Sequence, residues 1–341
     1  MNPGTNENDS SSKPMISICI PVYNAQAYME SCLLSLARQR FQDFDVIIVD
    51  DGSDKPLVVN ANLLNYVGEK RVHIERTDNR GAYAARQHAA LLARGDYIFF
   101  VDADDELYDI DALAKLAAAI KAHGPDVVLF NAAGKSGERL VDYVSYGWYG
   151  ELNPVEFLRE MVMHHRLNSL WCMVFRRELL IADAIMPRFC YAEDRLQKFE
   201  IIRRARSMWV INEPLYIYKE VPTSTTHARY KPEYYIQACL VELRISEHFD
   251  MLGIDWSAWA ESFMRITCGH LLSLVRSADM ARRERLVTYE LFRKQLACEM
   301  ALVHLDWHRA DTTLRLWAGP FKKRYFGVLD SVLAVRNFIG K

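Results

Sequence analysis

The chain has 341 residues, of which 50% are hydrophobic and 25% are charged, and its formal net charge is −2. This is the composition of a globular protein with ample apolar side chains for a core, and a nearly neutral chain gives no indication of nucleic acid as a partner. The seven cysteines are dispersed and form no CxxC pair, so we expect reduced thiols and not a disulfide framework.

The beginning of the chain is polar. MNPGTNENDSSSKP has no apolar signal core, and we expect residues 1–13 to be disordered. No later stretch is apolar for long enough to span a bilayer. We therefore expect a cytoplasmic protein that would meet a membrane only at its inner face.

Strand and helix patterns alternate over the first third of the chain. Short apolar runs predict strands, and amphipathic runs between them predict helices. The strands are predicted at 16–23, 45–49, 71–77, 97–101 and 126–130, and the helices at 24–40, 82–93 and through Leu113, Leu116 and Ile120 up to the Gly124-Pro125 stop. This alternation predicts an α/β fold with a mostly parallel sheet flanked by helices.

Acidic clusters follow two of these strands, where ligands bind in such sheets. VIIV runs into Asp50-Asp51-Gly52-Ser53, and IFFV runs into Asp102-Ala103-Asp104-Asp105. Asp102 and Asp104 share one side of an extended segment, whereas Asp105 points away. Hard divalent cations prefer carboxylate oxygens, so we favour a metal site at Asp102 and Asp104 over a solvated loop or a helix cap.

Three further groups of residues could have either a ligand-binding or catalytic role or a purely structural one. Asp51 is either part of a simple turn or an acceptor for a base N–H. Asn79-Arg80-Gly81 precedes a helix whose N-terminus could bind phosphate, with Arg86 one turn inside, although surface arginines are common. Glu193 and Asp194 could deprotonate a hydroxyl group or simply cap a helix.

The pattern loosens after Asn131. We predict a loop at 134–137, helices at 153–164, 176–184 and 197–205, strands at 171–175 and 215–219, and only helices from 232 onward.

Together these motifs resemble glycosyltransferase family 2, whose members have the Rossmann-like GT-A fold. The resemblance covers about two-thirds of the chain, in order and spacing. It is carried by ISICIPVYN (16–24), DVIIVDDGS (45–53), NRGAYAARQHA (79–89), GDYIFFVDADD (95–105), SLWCMVFRRELL (169–180), AEDRLQKFEI (192–201) and EPLYIYK (213–219).

The resemblance implies donor-site roles for seven positions. The nucleoside, usually uridine, would contact Pro21, Tyr23 and Asp51, the diphosphate would lie along Asn79, Gly81 and Arg86, and Asp102 would lie near the ribose. Asp104 would be the more direct ligand of a divalent metal, Mn²⁺ or Mg²⁺, with Asp102 beside it. His227 follows a Ser/Thr-rich loop, 223–226, where some relatives place a further metal ligand.

The resemblance also implies a single-displacement reaction that inverts the sugar configuration. Asp194, with Glu193 as its neighbour, would take the proton from the acceptor hydroxyl, and Trp171 would stack on the acceptor sugar. The chain departs from the family pattern after Asp51, where Pro56 shortens the turn, and after Asp194, where it reads RLQKF. Nucleotide and acceptor preferences are therefore not specified.

This resemblance divides the chain into four parts. Residues 1–13 are the tail, 14–130 the nucleotide-sugar half and 131–229 the acceptor half of a GT-A domain, and 230–341 a helical extension.

An apolar stripe runs along the end of the extension, which has a net charge of +4 from Gly319 onward. The stripe comprises Phe321, Tyr325, Val328, Val332, Val335 and Ile339, and the charges are Lys322, Lys323, Arg324, Arg336, Lys341 and Asp330. We expect the stripe to pack on the enzyme; contact with an anionic membrane and homodimerisation are the alternatives.

The function that we expect is transfer of a sugar from a nucleotide sugar, by the family pattern a UDP-linked one, to a saccharide or lipid-linked saccharide, as in bacterial surface polysaccharide synthesis. One alternative is a catalytically inactive nucleotide-sugar-binding scaffold. Another is a metal-dependent nucleotidyltransferase, which would need a Gly-rich phosphate loop near the first strand, and PVYNAQ is a poor one.

Overall fold

The computed structural model describes residues 13–136, 139–165, 167–180, 191–221, 230–277 and 280–339. The tail 1–12, the loop 223–226, His227 and Lys341 lie outside these ranges, so the predictions made for them stay predictions.

The first half of the sheet consists of four parallel strands in the order β3-β2-β1-β4. β1, β2 and β4 are almost wholly buried, because helices cover the sheet. The strands are β1 (Ile16–Val22), β2 (Phe44–Asp51), β3 (Val72–Thr77) and β4 (Tyr97–Phe100), and the connecting helices are α1 (Met29–Ala37), α2 (Ala61–Val67) and α3 (Ala82–Leu92). The predicted alternation of strands and helices is confirmed here, and α2 is an additional short helix.

The second half of the sheet is mixed. Its elements are β5 (Glu106–Leu107), α4 (Ala112–His123), β6 (Val127–Ser136), β7 (Arg139–Val144), β8 (Gly150–Leu152), α5 (Pro154–His164), β9 (Met173–Arg176), α6 (Glu193–Ile202) and β10 (Met208–Lys219). β9 lies between β4 and β6 and is antiparallel to both, while β6 and β10 are parallel. Every antiparallel pair therefore involves a strand of this second half. The sequence does not reveal these directions, because a doubly buried strand has the same apolar pattern in either direction.

The predicted loop at 134–137 is wrong over its described residues. β6 continues to Ser136 and pairs with β7, which brings Gly134 opposite Val141. β7 has no buried residue, so it lacks the apolar pattern that predicts a strand. Short 3₁₀ turns at Leu170–Cys172 and Arg177–Leu179 replace the beginnings of the strand predicted at 171–175 and the helix predicted at 176–184.

The chain after residue 230 is helical, as predicted. Its helices are α7 (Pro232–Ser246), α8 (Phe249–Leu252), α9 (Trp256–Arg276), α10 (Arg282–Arg293), α11 (Leu296–His304), α12 (Thr312–Lys322) and α13 (Phe326–Ile339). α9 is central and packs against α5, α7, α11, α12 and α13. No helix in the described ranges is both long and apolar enough to cross a bilayer.

The apolar stripe near the end of the chain does not form one packed face. Phe321 is buried, but Tyr325, Val328 and Val335 are 60%, 56% and 59% exposed. α12 ends at Lys322 and α13 begins at Phe326, so Phe321 lies on α12, Tyr325 in the turn between the helices and the later members on α13. The buried face of α13 is instead formed by Leu329 and Leu333. The expectation that the whole stripe packs on the enzyme is therefore wrong for its exposed members.

The cysteines in the described ranges are free and buried, as expected for reduced thiols. Cys190 lies outside those ranges.

Candidate active site

The candidate site lies at the carboxyl ends of β1, β2 and β4. Asp51 is the last residue of β2, and the segment with Asp102 and Asp104 follows β4. Because these strands are parallel neighbours, the two acidic clusters meet at one edge of the sheet.

Asp51 links the end of β2 to the start of α3. Its two carboxylate oxygens accept hydrogen bonds from the backbone N–H groups of Arg80 and Gly81, at 2.8 and 2.7 Å. Gly52 makes this approach feasible: its φ is +69°, and a Cβ there would lie 2.6 Å from the backbone nitrogen of Asn79. These hydrogen bonds therefore join the predicted nucleoside-side residue Asp51 to the segment predicted to lie along the diphosphate.

Asp50 has a structural role. Its buried carboxylate accepts hydrogen bonds from the N–H groups of Ser53 and Leu57, at 2.9 and 3.0 Å, and from Arg76 at 2.7 Å. Burial by itself would raise the pKa of Asp50, but these partners outweigh it and lower the pKa. Of the two adjacent aspartates, Asp51 is thus the one placed towards Gly81 and α3.

Arg86 connects the predicted diphosphate, metal and base positions. It lies on α3, and its side chain is only 6% exposed. Its guanidinium donates to the Asp102 carboxylate at 3.0 Å and also to that of Asp194. Burial would lower the pKa of Arg86, but the charges of Asp194 and Asp102 raise it. Arg86 is therefore a buried cation, and the interpretation of an isolated surface arginine is wrong.

The carboxylates around Arg86 outnumber it. Burial and the charge of Asp194 raise the pKa of Glu193 to about 7. Burial also raises the pKa of Asp194, and the charge of Asp102 acts in the same direction, opposed by Arg86. The pKa of Asp104 is raised by burial and by Asp102. This partly buried site holds an excess of negative potential.

Asp102 and Asp104 fit a divalent cation by their chemistry. Both offer carboxylate oxygens, and a cation would offset the repulsion that raises the pKa of Asp104. Asp105 is used differently: it is 1% exposed and accepts hydrogen bonds from the Tyr216 hydroxyl and the Lys219 N–H, both at 2.8 Å. Across the described ranges, no cluster of three His, Cys, Asp or Glu residues could hold a metal by itself. A cation here would need other ligands, such as phosphate oxygens.

The sequence and the fold are similar to those of known glycosyltransferases. Residues 17–182 match the family described as glycosyl transferase family 2. The chain is 27% identical to the uncharacterized glycosyltransferase EpsJ of Bacillus subtilis over 274 residues, 77% of each chain. It is 35% identical over 150 residues to a PGL/p-HBAD biosynthesis glycosyltransferase of Mycobacterium tuberculosis, covering 43% of this chain and 56% of that one.

The chain belongs to glycosyltransferase family 2. Its fold is also similar to that of S. aureus TarS 1-349, crystallised in complex with UDP-GlcNAc, with a TM-score of 0.70 and 20% identity over 96% of this chain and 92% of that one. The predicted GT-A fold with a helical C-terminal region is thereby confirmed. The family match ends at residue 182, so Glu193 and Asp194 lie beyond it.

In this family 2 glycosyltransferase, Glu193 and Asp194 form the first turn of α6. The helix is fixed by the residues that depart from the family pattern. Arg195 donates to Glu242 of α7 at 2.8 Å, and Trp259 of α9 donates to the other oxygen of Glu242 at 3.0 Å. The helical C-terminal region thus holds α6 in place.

Lys198, one turn after Asp194, is fully buried. Its ammonium group donates to the Tyr146 hydroxyl at 2.7 Å and to the Ser169 carbonyl at 2.9 Å. Burial lowers the pKa of Lys198 to about 8. Sequence reasoning missed both Arg195 and Lys198, because charged residues in a helix ordinarily indicate a solvated face.

The remaining predicted residues differ in how far their side chains are exposed. Pro21 lies within β1, and Tyr23 follows it and is 51% exposed. Asn79 is partly buried beside Gly52. Trp171 is only 6% exposed and stacks on Tyr216 with a 4.6 Å centroid distance. A sugar could therefore reach little of the Trp171 ring, and its predicted acceptor role stays a prediction.

Proposed function

We propose that this family 2 glycosyltransferase is a metal-dependent, inverting enzyme that moves a sugar from a UDP-linked donor to a saccharide or lipid-linked saccharide, in the synthesis of a bacterial surface polysaccharide. The fold shared with a protein crystallised with UDP-GlcNAc supports a UDP donor. Relatives named as glycosyltransferases, EpsJ and one of PGL/p-HBAD biosynthesis, support the transfer of a sugar, and the acceptor class is the one that the sequence resemblance implies.

The observation that carries the proposal is the shared arginine. Arg86 contacts both Asp102 of the metal motif and Asp194, the proposed base. A transferase needs its base on one side of the anomeric carbon and its leaving-group site on the other, within one sugar ring of each other. A single guanidinium that contacts both carboxylates supports this, because it brings the proposed base and the metal motif that close together.

In the proposed reaction, Asp194 accepts the proton of the acceptor hydroxyl as its oxygen attacks the anomeric carbon. The bond from that carbon to the diphosphate breaks, and the configuration inverts. Arg86 is placed to donate hydrogen bonds to the departing diphosphate, since its position at the start of α3 adjoins the N–H groups of a helix terminus. Because burial and the charge of Asp194 raise the pKa of Glu193 to about 7, Glu193 is partly protonated at neutral pH, which limits the charge beside the base.

Asp102 and Asp104 would hold the divalent cation, Mn²⁺ or Mg²⁺, with His227 as a further candidate. Such a cation, when bound, supplies Lewis-acid stabilisation of the diphosphate. Asp105 would not take part, since its oxygens are bonded to Tyr216 and Lys219.

The test is a binding and hydrolysis screen of UDP-, GDP- and dTDP-sugars with Mn²⁺, Mg²⁺ or EDTA. We expect metal-dependent binding and slow hydrolysis of a UDP-sugar, both lost in Asp104→Ala. Glu106→Gln, at a nearby carboxylate paired with Lys219, is the matched control and should retain both. Binding without turnover would favour the inactive scaffold, and release of pyrophosphate from a sugar phosphate and a nucleoside triphosphate would favour the nucleotidyltransferase.

We further propose that α13 contacts an anionic membrane. Tyr325, Val328 and Val335 are exposed apolar side chains, and Lys322, Lys323 and Arg324 lie immediately before them. Such a surface binds anionic lipid by apolar insertion and charge attraction. We expect co-sedimentation with phosphatidylglycerol vesicles at low salt, reduced by Val328→Glu but not by Val303→Glu, whose site on α11 is 78% exposed. Equal binding by both variants, or dimerisation that only Val328→Glu disrupts, would contradict the membrane proposal.

A further inference from the structure

Four aromatic side chains form a cluster on one side of the sheet, hereafter the aromatic cluster: Tyr143, Trp171, Tyr216 and Tyr218. Their rings are nearly parallel. Trp171 lies 4.6 Å from Tyr216 and 5.8 Å from Tyr218, and Tyr143 lies 4.5 Å from Tyr218 and 6.2 Å from Trp171, measured between ring centroids. Such stacked contacts hold each ring in a fixed orientation.

The buried end of the aromatic cluster is attached to the metal motif. Tyr216 is fully buried, and its hydroxyl donates to Asp105 at 2.8 Å and accepts from the N–H of Asp102 at 3.0 Å. The cluster therefore starts at the segment that carries Asp102 and Asp104. Two ring-to-ring steps, of 4.6 and 6.2 Å, lead from Tyr216 through Trp171 to Tyr143.

The other end of the aromatic cluster opens to solvent at Tyr143, which is 51% exposed while Trp171 is 6% exposed. Tyr143 lies on β7 and is seated against Gly134 of β6. A Cβ at Gly134 would lie 3.1 Å from the Tyr143 ring, so glycine leaves the space that the ring occupies. An exposed tyrosine that is already held in place loses little conformational entropy when a ligand binds it.

We propose that Tyr143 is a saccharide-binding residue that stacks against the C–H face of an acceptor sugar ring. This inference rests on the proposed transferase function. Aromatic rings suit such ligands because a pyranose presents C–H groups on its faces and hydroxyl groups around its edge. Tyr143 thus provides the accessible ring surface that Trp171, buried within the cluster, lacks. It sets which acceptor rings can approach the carboxylates.

The test uses methyl β-glycosides of glucose, galactose and N-acetylglucosamine at millimolar concentration. Saturation-transfer NMR reports which sugar protons lie against the protein, and UDP binding with Mn²⁺ is measured in parallel. We expect transfer to the ring C–H protons of at least one glycoside. Tyr143→Ala should weaken that binding about tenfold, as expected for losing one stacked ring, and Tyr143→Phe should retain it.

Tyr66→Ala is the matched control, because Tyr66 is 59% exposed on α2, an element outside the aromatic cluster. It should change neither measurement. Unchanged glycoside binding in Tyr143→Ala, or no glycoside contact with the wild type, would overturn the role of Tyr143. If Tyr143→Ala changed the oligomeric state and left glycoside binding intact, the saccharide role of Tyr143 would be overturned and β7 would be a protein interface. Failure of the wild type to bind any nucleotide would instead refute the proposed function.

Discussion

Two buried ion-pair clusters begin at adjacent residues of α6 and differ in their charge balance. Asp194 faces Arg86, which it shares with Asp102, and Glu193 adds a third carboxylate. Arg195 faces Glu242, with the Trp259 indole on the second oxygen and His165 3.5 Å away. The first cluster has more carboxylates than cations, whereas the second pairs one of each, because burial lowers the pKa of His165 to about 4 and leaves it neutral at pH 7.

The pKa shifts follow this difference. Burial would raise the pKa of Glu242, but Arg195 and the other partners, among them the Trp259 indole, together outweigh it and lower the pKa. The pKa values of Glu193 and Asp194 are raised although Arg86 is close. A balanced cluster stabilises the packing of α6 on the helical C-terminal region. An unbalanced one keeps a negative potential that a cation or a proton can neutralise, which is the arrangement expected of a reactive site.

The largest effect should come from the unbalanced cluster. Asp194→Asn removes the proposed base, and we expect transfer to fall by about a thousandfold, within the range for general-base catalysis. Arg86 keeps Asp102 as a partner, so metal-dependent UDP binding should be nearly unchanged. The measurement is initial-rate kinetics beside calorimetric titration with UDP. Loss of transfer and UDP binding together would refute the assignment of the base.

Next in size is an effect on the balanced cluster. Glu242→Gln leaves Arg195 buried without its carboxylate, and we expect a loss of about 3 kcal/mol in the free energy of unfolding. Urea unfolding measures it. The double variant Arg195→Met, Glu242→Gln is the control and should lose less, because no buried charge stays unpaired. A loss below about 1 kcal/mol would mean that this pair does not hold α6.

The smallest effect is the pH dependence contributed by Glu193. Its pKa is about 7 in the folded protein and 4.5 for a glutamate free of neighbours, so between these values the folded state binds more protons than the unfolded state. The contribution of Glu193 to the free energy of unfolding therefore falls as pH rises from about 4.5 to 7, then levels off. Because Glu193→Gln removes that group, the variant should gain stability relative to the wild type over this range. Urea unfolding measures this gain at pH 5 and at pH 7.5. The same difference in the free energy of unfolding between variant and wild type at both pH values would contradict the raised pKa.

The parts predictable from sequence are those with local patterns. The strand predicted at 45–49 lies within β2 (Phe44–Asp51), and the helix predicted at 82–93 is α3 (Ala82–Leu92). Continuous buried strands and helix punctuation need no knowledge of distant partners. Asp51, Arg86 and Asp102 could be proposed as site residues for the same reason: each follows a recognisable strand or turn.

The rest depends on distant contacts. β7 is a strand only because β6 provides hydrogen-bond partners, and its exposed residues carry no alternating pattern. Arg195 and Lys198 looked like surface charges, and their partners Glu242 and Tyr146 are 47 and 52 residues away. Tyr143 was not singled out within its aromatic-rich segment, because its stacking on Tyr218 joins two strands far apart in the chain.

The most direct test of the single-displacement account is the configuration of the released sugar. A UDP-sugar with an α-linked donor is hydrolysed in an NMR tube, and the anomeric proton is recorded before mutarotation. Direct attack by water activated at Asp194 predicts that the β-anomer appears first. First appearance of the α-anomer would mean retention of configuration, and it would contradict the single-displacement account.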